Sequence, residues 1–299
     1  MAPARWCTSV NEAAQRTFQD ESGPYVLPND APEHARLDAQ SRAFLSILGK
    51  TFHAPLSQPK KILDVGCGTG ILTAELARKH PEATVVGIDI SLVPVHLHGV
   101  LPNLTYVQGD VADLAGQSDG MLAWGTFDYV FSRFLIFAIT DWPAHVERLM
   151  RLLRVGDWLE MQDFGFGIYA GPNRTDFPEG ADMSATWDWN THFEHDCAAG
   201  GLNMACGKNL VAWLAESRAV RIQEQIYRIG PGGPRNPGES DKAYWQKTKL
   251  TQEGLIDKVC SRRNSPDVVA KLKDDMRATL GKLVDGDWAA MHVAIGEAQ

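Results

Sequence analysis

One stretch, KKILDVGCGTGILTAELARKHPEATVVGIDI from Lys60 to Ile90, leaves this chain few folds to choose from. It opens with Ile62, Leu63 and Val65, an apolar run short enough for a buried strand, and then breaks into Gly66, Gly68 and Gly70. A helix follows at once, with Leu72, Leu76 and Ala77 on one face, Lys79 and His80 at its C-terminal end and Pro81 as the stop. Thr84 to Ile88 then reads as a second buried strand that ends in Asp89. Glycines suit a turn where a ligand approaches the backbone too closely for a side chain, and an acid after the second strand can accept hydrogen bonds from a ribose. A nicotinamide or flavin fingerprint needs GxGxxG with its third glycine at position 71; this chain has Ile71 there and the glycine at Gly70. The spacing is therefore GxGxG preceded by Asp64, and the plain alternative is an ordinary tight turn between strand and helix.

That pattern resembles the first motif of class I methyltransferases that use S-adenosylmethionine (SAM). The resemblance implies a cofactor cradle of Asp64, Gly66, Gly68 and Gly70, joined by Asp89 and Ile90, with S-adenosylhomocysteine (SAH) as product. Upstream, the order Tyr25, Leu27-Pro28-Asn29-Asp30, Arg36-Leu37-Asp38, Gln40, Phe44-Leu45 is similar to the fungal LaeA-like (UMTA-type) methyltransferases. Asn29 or Asp30 can cap a helix there, with Pro32 in its first turn and an apolar stripe of Leu37, Phe44, Leu45 and Leu48 ended by Gly49. In such enzymes this helix roofs the SAM site, which implies a contact from Tyr25 to the methionine end; packing on the sheet is the alternative. The family often has His after the Gln, where this chain has Ser41.

Leu104 to Val107 reads as a third strand, leading to Gly109-Asp110-Val111. This looks like the adenine-binding motif of the fold, with Asp110 accepting from the exocyclic amine and Val111 beside the ring; a simple turn acid is the alternative. Phe127 to Arg133 is the fourth strand, beside the first in this topology. Ligands of open parallel sheets lie at the carboxyl ends of strands near the switch in strand order. Ser132 and Arg133 are therefore candidates for holding the methionine portion, unless Arg133 makes a structural salt bridge. Asp141-Trp142-Pro143 starts a helix, and Gly156 to Phe164 forms a turn and a fifth strand whose Gly, Trp-Leu-Glu, Gln pattern again resembles the family. The likeness thus runs almost continuously from 25 to 164.

Beyond it, 165 to 205 reads as a loop, FGFGIYAGPN, then a helix carrying Trp187, Trp189, His192, Phe193 and His195. A sixth strand spans Val220 to Ile229, a glycine- and proline-rich hinge follows to Gly238, and two helices precede an antiparallel last strand from Trp288 to Ile295. The fold class is α/β: a Rossmann-like, seven-stranded, mostly parallel sheet with helices on both faces and helical cap or lid insertions. We expect one domain over 1–299, with an arm and roof helix in 1–50, a SAM-binding core in 60–164, and cap segments in 165–205 and 230–285.

Methyl transfer is an in-line displacement, so the protein chiefly aligns the reactants and excludes water. A phenol near pKa 10 benefits from a general base, whereas a thiol near about 8.5 is already partly ionised. His192 is a candidate base, with Asp163 as an alternative and packing histidines as the plain reading; Glu160 reads as interior. Trp187, Phe193 and Trp245 are candidates for the wall of a flat, hydrophobic substrate, with core packing as the alternative.

The net charge of -8 and pI near 5.6, without runs of Lys or Arg, disfavour a nucleic-acid substrate. Five cysteines without CxxC spacing argue for reduced thiols and against structural zinc, and the pair His96 and His98 lacks a nearby thiol or carboxylate. No metal is expected. With no signal-peptide core or bilayer-length stretch, the reading is a soluble cytoplasmic protein without a membrane partner. The function expected is methyl transfer to an O, N or S atom of a small hydrophobic metabolite in fungal secondary metabolism. The alternatives are a LaeA-like SAM-binding regulator that works through protein partners, and a SAM fold turned to non-methylating chemistry.

Overall fold

A computed structural model describes residues 9–11, 16–18, 31–94, 98–117, 120–230 and 241–299. Seven strands form one sheet: β1 (Lys61–Val65), β2 (Thr84–Asp89), β3 (Leu104–Gln108), β4 (Phe127–Arg133), β5 (Leu153–Tyr169), β6 (Val220–Ile229) and β7 (Trp288–Glu297). Their order is β3-β2-β1-β4-β5-β7-β6. The first five run parallel, and β7 lies antiparallel to both β5 and β6.

The central strands are apolar on both faces because helices cover both. On one face Leu63, Val65, Val130, Leu159 and Met161 pack with α4 (Trp142–Leu152) and α6 (Cys206–Glu216). On the other, Ile62, Tyr129, Phe131 and Trp158 meet Leu76 of α2 (Ile71–Lys79) and Phe52. This alternation is the period of two expected of strands. It places Asp64, Arg133, Glu160 and Gln162 on the α2 face, with Ser132 and Asp163 on the other. Asp141 caps α4 by accepting from the Ala144 N–H at 3.1 Å, with Pro143 in the first turn, and Trp142 stacks on Trp213 of α6 at 5.4 Å.

Before β1 runs α1 (Ala31–Leu48), whose Phe44 and Leu48 pack with Ile229 and Met291 near the ends of β6 and β7. A single turn, α3 (Val111–Leu114), follows β3. The segments expected to form a cap hold α5 (Asp188–Ala199) after β5, and α7 (Asp241–Cys260) with α8 (Pro266–Leu280) between β6 and β7. Residues 165–169, expected in a loop, instead prolong β5 to Tyr169. Phe164, Phe166 and Ile168 alternate as a strand requires, and β7 pairs with this extension as far as Tyr169↔Trp288 across an irregularity between Gly165 and Ile168. Among the described residues no helix is long and apolar enough to cross a membrane.

Candidate functional site

The glycine turn is fastened to the second strand before it opens into a crevice. Gly66 and Cys67 both donate their N–H to the Ile88 carbonyl, at 2.8 and 3.1 Å. Gly66, Gly68 and Gly70 have φ of +68°, +56° and +77°. At Gly70 a Cβ would stand 2.5 Å from the Tyr106 hydroxyl, so β3 closes that side. At Gly68 a Cβ would make ordinary contact with a Leu37 methyl at 3.9 Å, so α1 lies directly over the turn.

Asp89 stands beneath the turn, at the end of β2. Its Oδ2 accepts the Gly68 N–H and its Oδ1 the Ser91 N–H, both at 2.8 Å. Burial raises its carboxyl above the ordinary value, and those two N–H groups work against the rise. Each oxygen keeps a lone pair for a vicinal diol. Ile90 is half-buried next to it, and its carbonyl accepts from Gln108 Nε2 at 3.2 Å. Asp110 is exposed and caps α3 through the Ala112 N–H at 2.8 Å, with Val111 buried behind it. These donors and acceptors fit a nucleoside lying from β2 to β3.

At the other end of the crevice Asp64 is only 2% exposed and accepts from Thr73 Oγ1 at 2.6 Å. Burial pushes its carboxyl up to about 6. Arg133 donates from Nη2 to Ser41 Oγ and lies over the Phe134 ring, 4.9 Å from its centroid. Burial lowers its guanidinium to about 10, with Asp64, Glu75 and Glu160 pulling the other way. Among the described residues no carboxylate comes within ion-pair distance of it, so it is a buried cation facing a cluster of acids without direct neutralisation. Ser132 is buried on the opposite face, level with Val65. The roof reaches the turn through Thr69 Oγ1, which donates to Asp38 Oδ1 at 2.6 Å.

The residues singled out in the cap are not all gathered here. Phe193 is 1% exposed and packs on Phe166 at 5.4 Å. Trp187 stacks on Trp189 at 5.9 Å and borders a cavity of about 600 Å³ between the loop after β5 and α8. None of the residues lining that cavity belongs to the glycine turn or the ends of β1, β2 or β4. His192 Nε2 pairs with Asn264 Oδ1 at 3.0 Å and lies 3.5 Å from Asp196, while His195 is 80% exposed. Both Asp163 oxygens are taken by backbone, Leu135 N–H at 2.7 Å and Phe164 N–H at 2.9 Å, and burial raises its carboxyl to about 7. Tyr25 and the Trp245 side chain lie outside the described residues.

A different aromatic group borders Arg133. Phe134 and Phe164 stack at 5.1 Å with 9° between their planes, and Phe44 of α1 meets them at 4.8 and 5.8 Å. Phe134 holds φ at +61°, a strained value for a non-glycine residue. Phe44 was marked in the sequence by the apolar stripe of its helix, whereas the only signal for the other two was position, since Phe134 directly follows Arg133 and Phe164 directly follows Asp163. Among the described residues no group of three or more His, Cys, Asp or Glu could hold a metal ion.

Residues 62–156 match the family described as Methyltransferase domain. Methyltransferase pytC of Aspergillus terreus is 32% identical over 247 residues, covering 77% of this chain and 71% of that protein. Methyltransferase str2 of Strobilurus tenacellus is 25% identical over 270 residues, covering 89% of this chain and 92% of its own. The secondary metabolism regulator laeA of Coprinopsis cinerea is 29% identical over 221 residues, or 70% of this chain and 54% of the regulator. The chain thus spans about half the length of that relative.

Proposed function

This chain belongs to the class I SAM-dependent methyltransferases of the fungal LaeA-like type, and from that premise we propose that it methylates an oxygen, nitrogen or sulfur atom of a small hydrophobic metabolite. The observation that carries the reading is Asp89, held between the Gly68 and Ser91 N–H groups beneath the glycine turn.

When bound, SAM supplies a methyl group on a positively charged sulfur that leaves as a neutral thioether. In the proposed arrangement Asp89 and Ile90 hold the ribose, Asp110 and Val111 the adenine, and Gly66, Gly68 and Gly70 the path between them. Asp64 suits an ammonium and Arg133 a carboxylate, the two charges of a methionine end, with Ser132 shaping the same strand terminus. The Phe134 and Phe164 rings, backed by the buried Phe44, supply an apolar wall beside Arg133, suited to a flat acceptor and to the exclusion of water. Proton transfer is assigned to neither His192, occupied by Asn264, nor Asp163, occupied by backbone. Alignment carries the rate. One sheet running from residue 61 to 297 supports a single catalytic domain, and the four described cysteines, all free and buried, support a reducing compartment such as the cytoplasm.

Calorimetry with SAM tests the seat of the cofactor. Wild type is expected to bind in the micromolar range, and Asp89→Ala to weaken binding about 10- to 100-fold, the worth of hydrogen bonds to a charged group. An absence of wild-type binding would falsify the proposal. Labelled methyl donor incubated with metabolite extracts is expected to yield a product heavier by one or more methyl groups. A second reading, a SAM-binding regulator acting through partner proteins, is favoured by the similarity to laeA. It gains if binding is intact and no extract is ever labelled.

A further inference from the structure

Glu160 of β5 is a fully buried carboxylate, 0% exposed, to which the proposed chemistry gives no task. Its Oε2 accepts the N–H groups of His53 at 2.7 Å and Ala54 at 2.8 Å, and the Tyr129 hydroxyl at 2.8 Å. Its Oε1 accepts Gln162 Nε2 at 2.6 Å and meets His53 Nδ1 at 3.1 Å. Burial alone would raise this carboxyl, but the His53 ring, the two backbone N–H groups and the Gln162 amide outweigh it and hold it below the ordinary range.

Tyr129 and Gln162 donate from β4 and β5, and the other donors come from one segment. Thr51 to Ala54 is the segment that leaves the C-terminal end of α1, and Gln162 reaches back to the Thr51 carbonyl at 2.8 Å. Thr51 Oγ1 donates to Glu75 of α2 at 2.9 Å. The Tyr227 hydroxyl of β6 stands 2.7 Å from His53 Nε2 and 3.4 Å from the Leu48 carbonyl that ends α1. The same helix carries Leu37 over Gly68, Asp38 to Thr69 and Ser41 to Arg133. A helix is a stiff body, so a clamp at its C-terminal end sets where these three residues stand over the crevice.

We propose that Glu160 is a positioning residue which, through His53 and Tyr227, locks the roof helix α1 over the cofactor crevice. A buried carboxylate that merely stabilised the sheet would loosen all its strands when removed. A clamp on α1 loosens the roof and the grip on the cofactor. The inference rests on the proposed cofactor seat, and a wild-type protein that fails to bind SAH would sink that seat, whereas bound wild type with unaffected variants sinks only the clamp.

The test uses the full chain as wild type, Glu160→Gln, Tyr227→Phe and the double variant, each titrated with SAH by calorimetry and followed by hydrogen exchange. Glu160→Gln is expected to weaken SAH binding about tenfold and Tyr227→Phe about threefold, with the double variant no weaker than Glu160→Gln because both act along one path. Exchange of residues 34–54 should quicken without SAH and return to the wild-type rate when SAH saturates, while β1 to β4 keep their protection. Affinities within twofold of wild type in both single variants, or exchange that quickens equally through β1 to β4, overturn the proposal. If Glu160→Gln does not fold, Tyr227→Phe decides alone, since it removes a hydroxyl without leaving a charge unpaired: a threefold loss supports the clamp and wild-type affinity refutes it.

Discussion

At the scale of single residues, Gly70 and Asp163 show how closely the carboxyl ends of the strands are packed. Alanine at position 70 would keep a φ of +77° and drive a methyl group against the Tyr106 hydroxyl. Gly70→Ala is expected to cost about 2–4 kcal/mol, backbone strain and overpacking together, measured by urea denaturation. A loss below about 0.5 kcal/mol would mean that the Tyr106 ring simply gives way. Asp163 makes a statement about pH. Its folded value near 7 lies above the ordinary value near about 4, so the native state holds its proton more tightly than the unfolded chain does. Its contribution is complete below about pH 4 and is lost as pH rises through about 7. Asp163→Asn is expected to flatten that part of the Tm profile between about pH 4 and pH 8, and an unchanged slope would contradict the assignment. The glycines and acids of the cradle were legible because their spacing is local. Phe44, Phe134 and Phe164 were not, because each comes from a different element and only the fold assembles them.

At the scale of elements, local chemistry predicted α4 well: Asp141 at its start and Pro143 in its first turn do there what those residue types do anywhere. Asp141→Ala is expected to lower stability by about 1 kcal/mol in the same denaturation assay, with SAH affinity unchanged. The end of β5 was harder to read. Gly165 and Gly167 punctuate the sequence like a loop, yet the alternation of Phe164, Phe166 and Ile168 continues and β7 supplies the hydrogen bonds that no local pattern announces. The roof helix illustrates a third case. Its apolar stripe was visible, whereas its anchorage was not, since Glu160 and Tyr227 lie far along the chain from His53.

At the scale of the whole molecule, the alternation of strands and helices gave the parallel half of the sheet, and the placing of the cap depended on contacts among α5, α7 and α8 that sequence periodicity does not carry. The sheet also depends on β7 from both sides, because it is the only described partner of β6 and covers the outer edge of β5. A chain ending at Leu283 is expected to be aggregated in gel filtration and to show no SAH binding, since it newly exposes the outer edge of β5 and the inner edge of β6. A monodisperse, SAH-binding truncation would show that the first five strands suffice.

The same arrangement dictates an order of events during synthesis. A ribosome delivers β6 and then all of α7 and α8 before the strand that belongs between β5 and β6 emerges. Until then β6 has no neighbour to zip onto, so the slot stays unfilled while the emerging cap is already able to close over it. Folding of this half therefore waits until β7 has emerged, and the waiting chain, with its open slot, is the form that chaperones are most apt to meet.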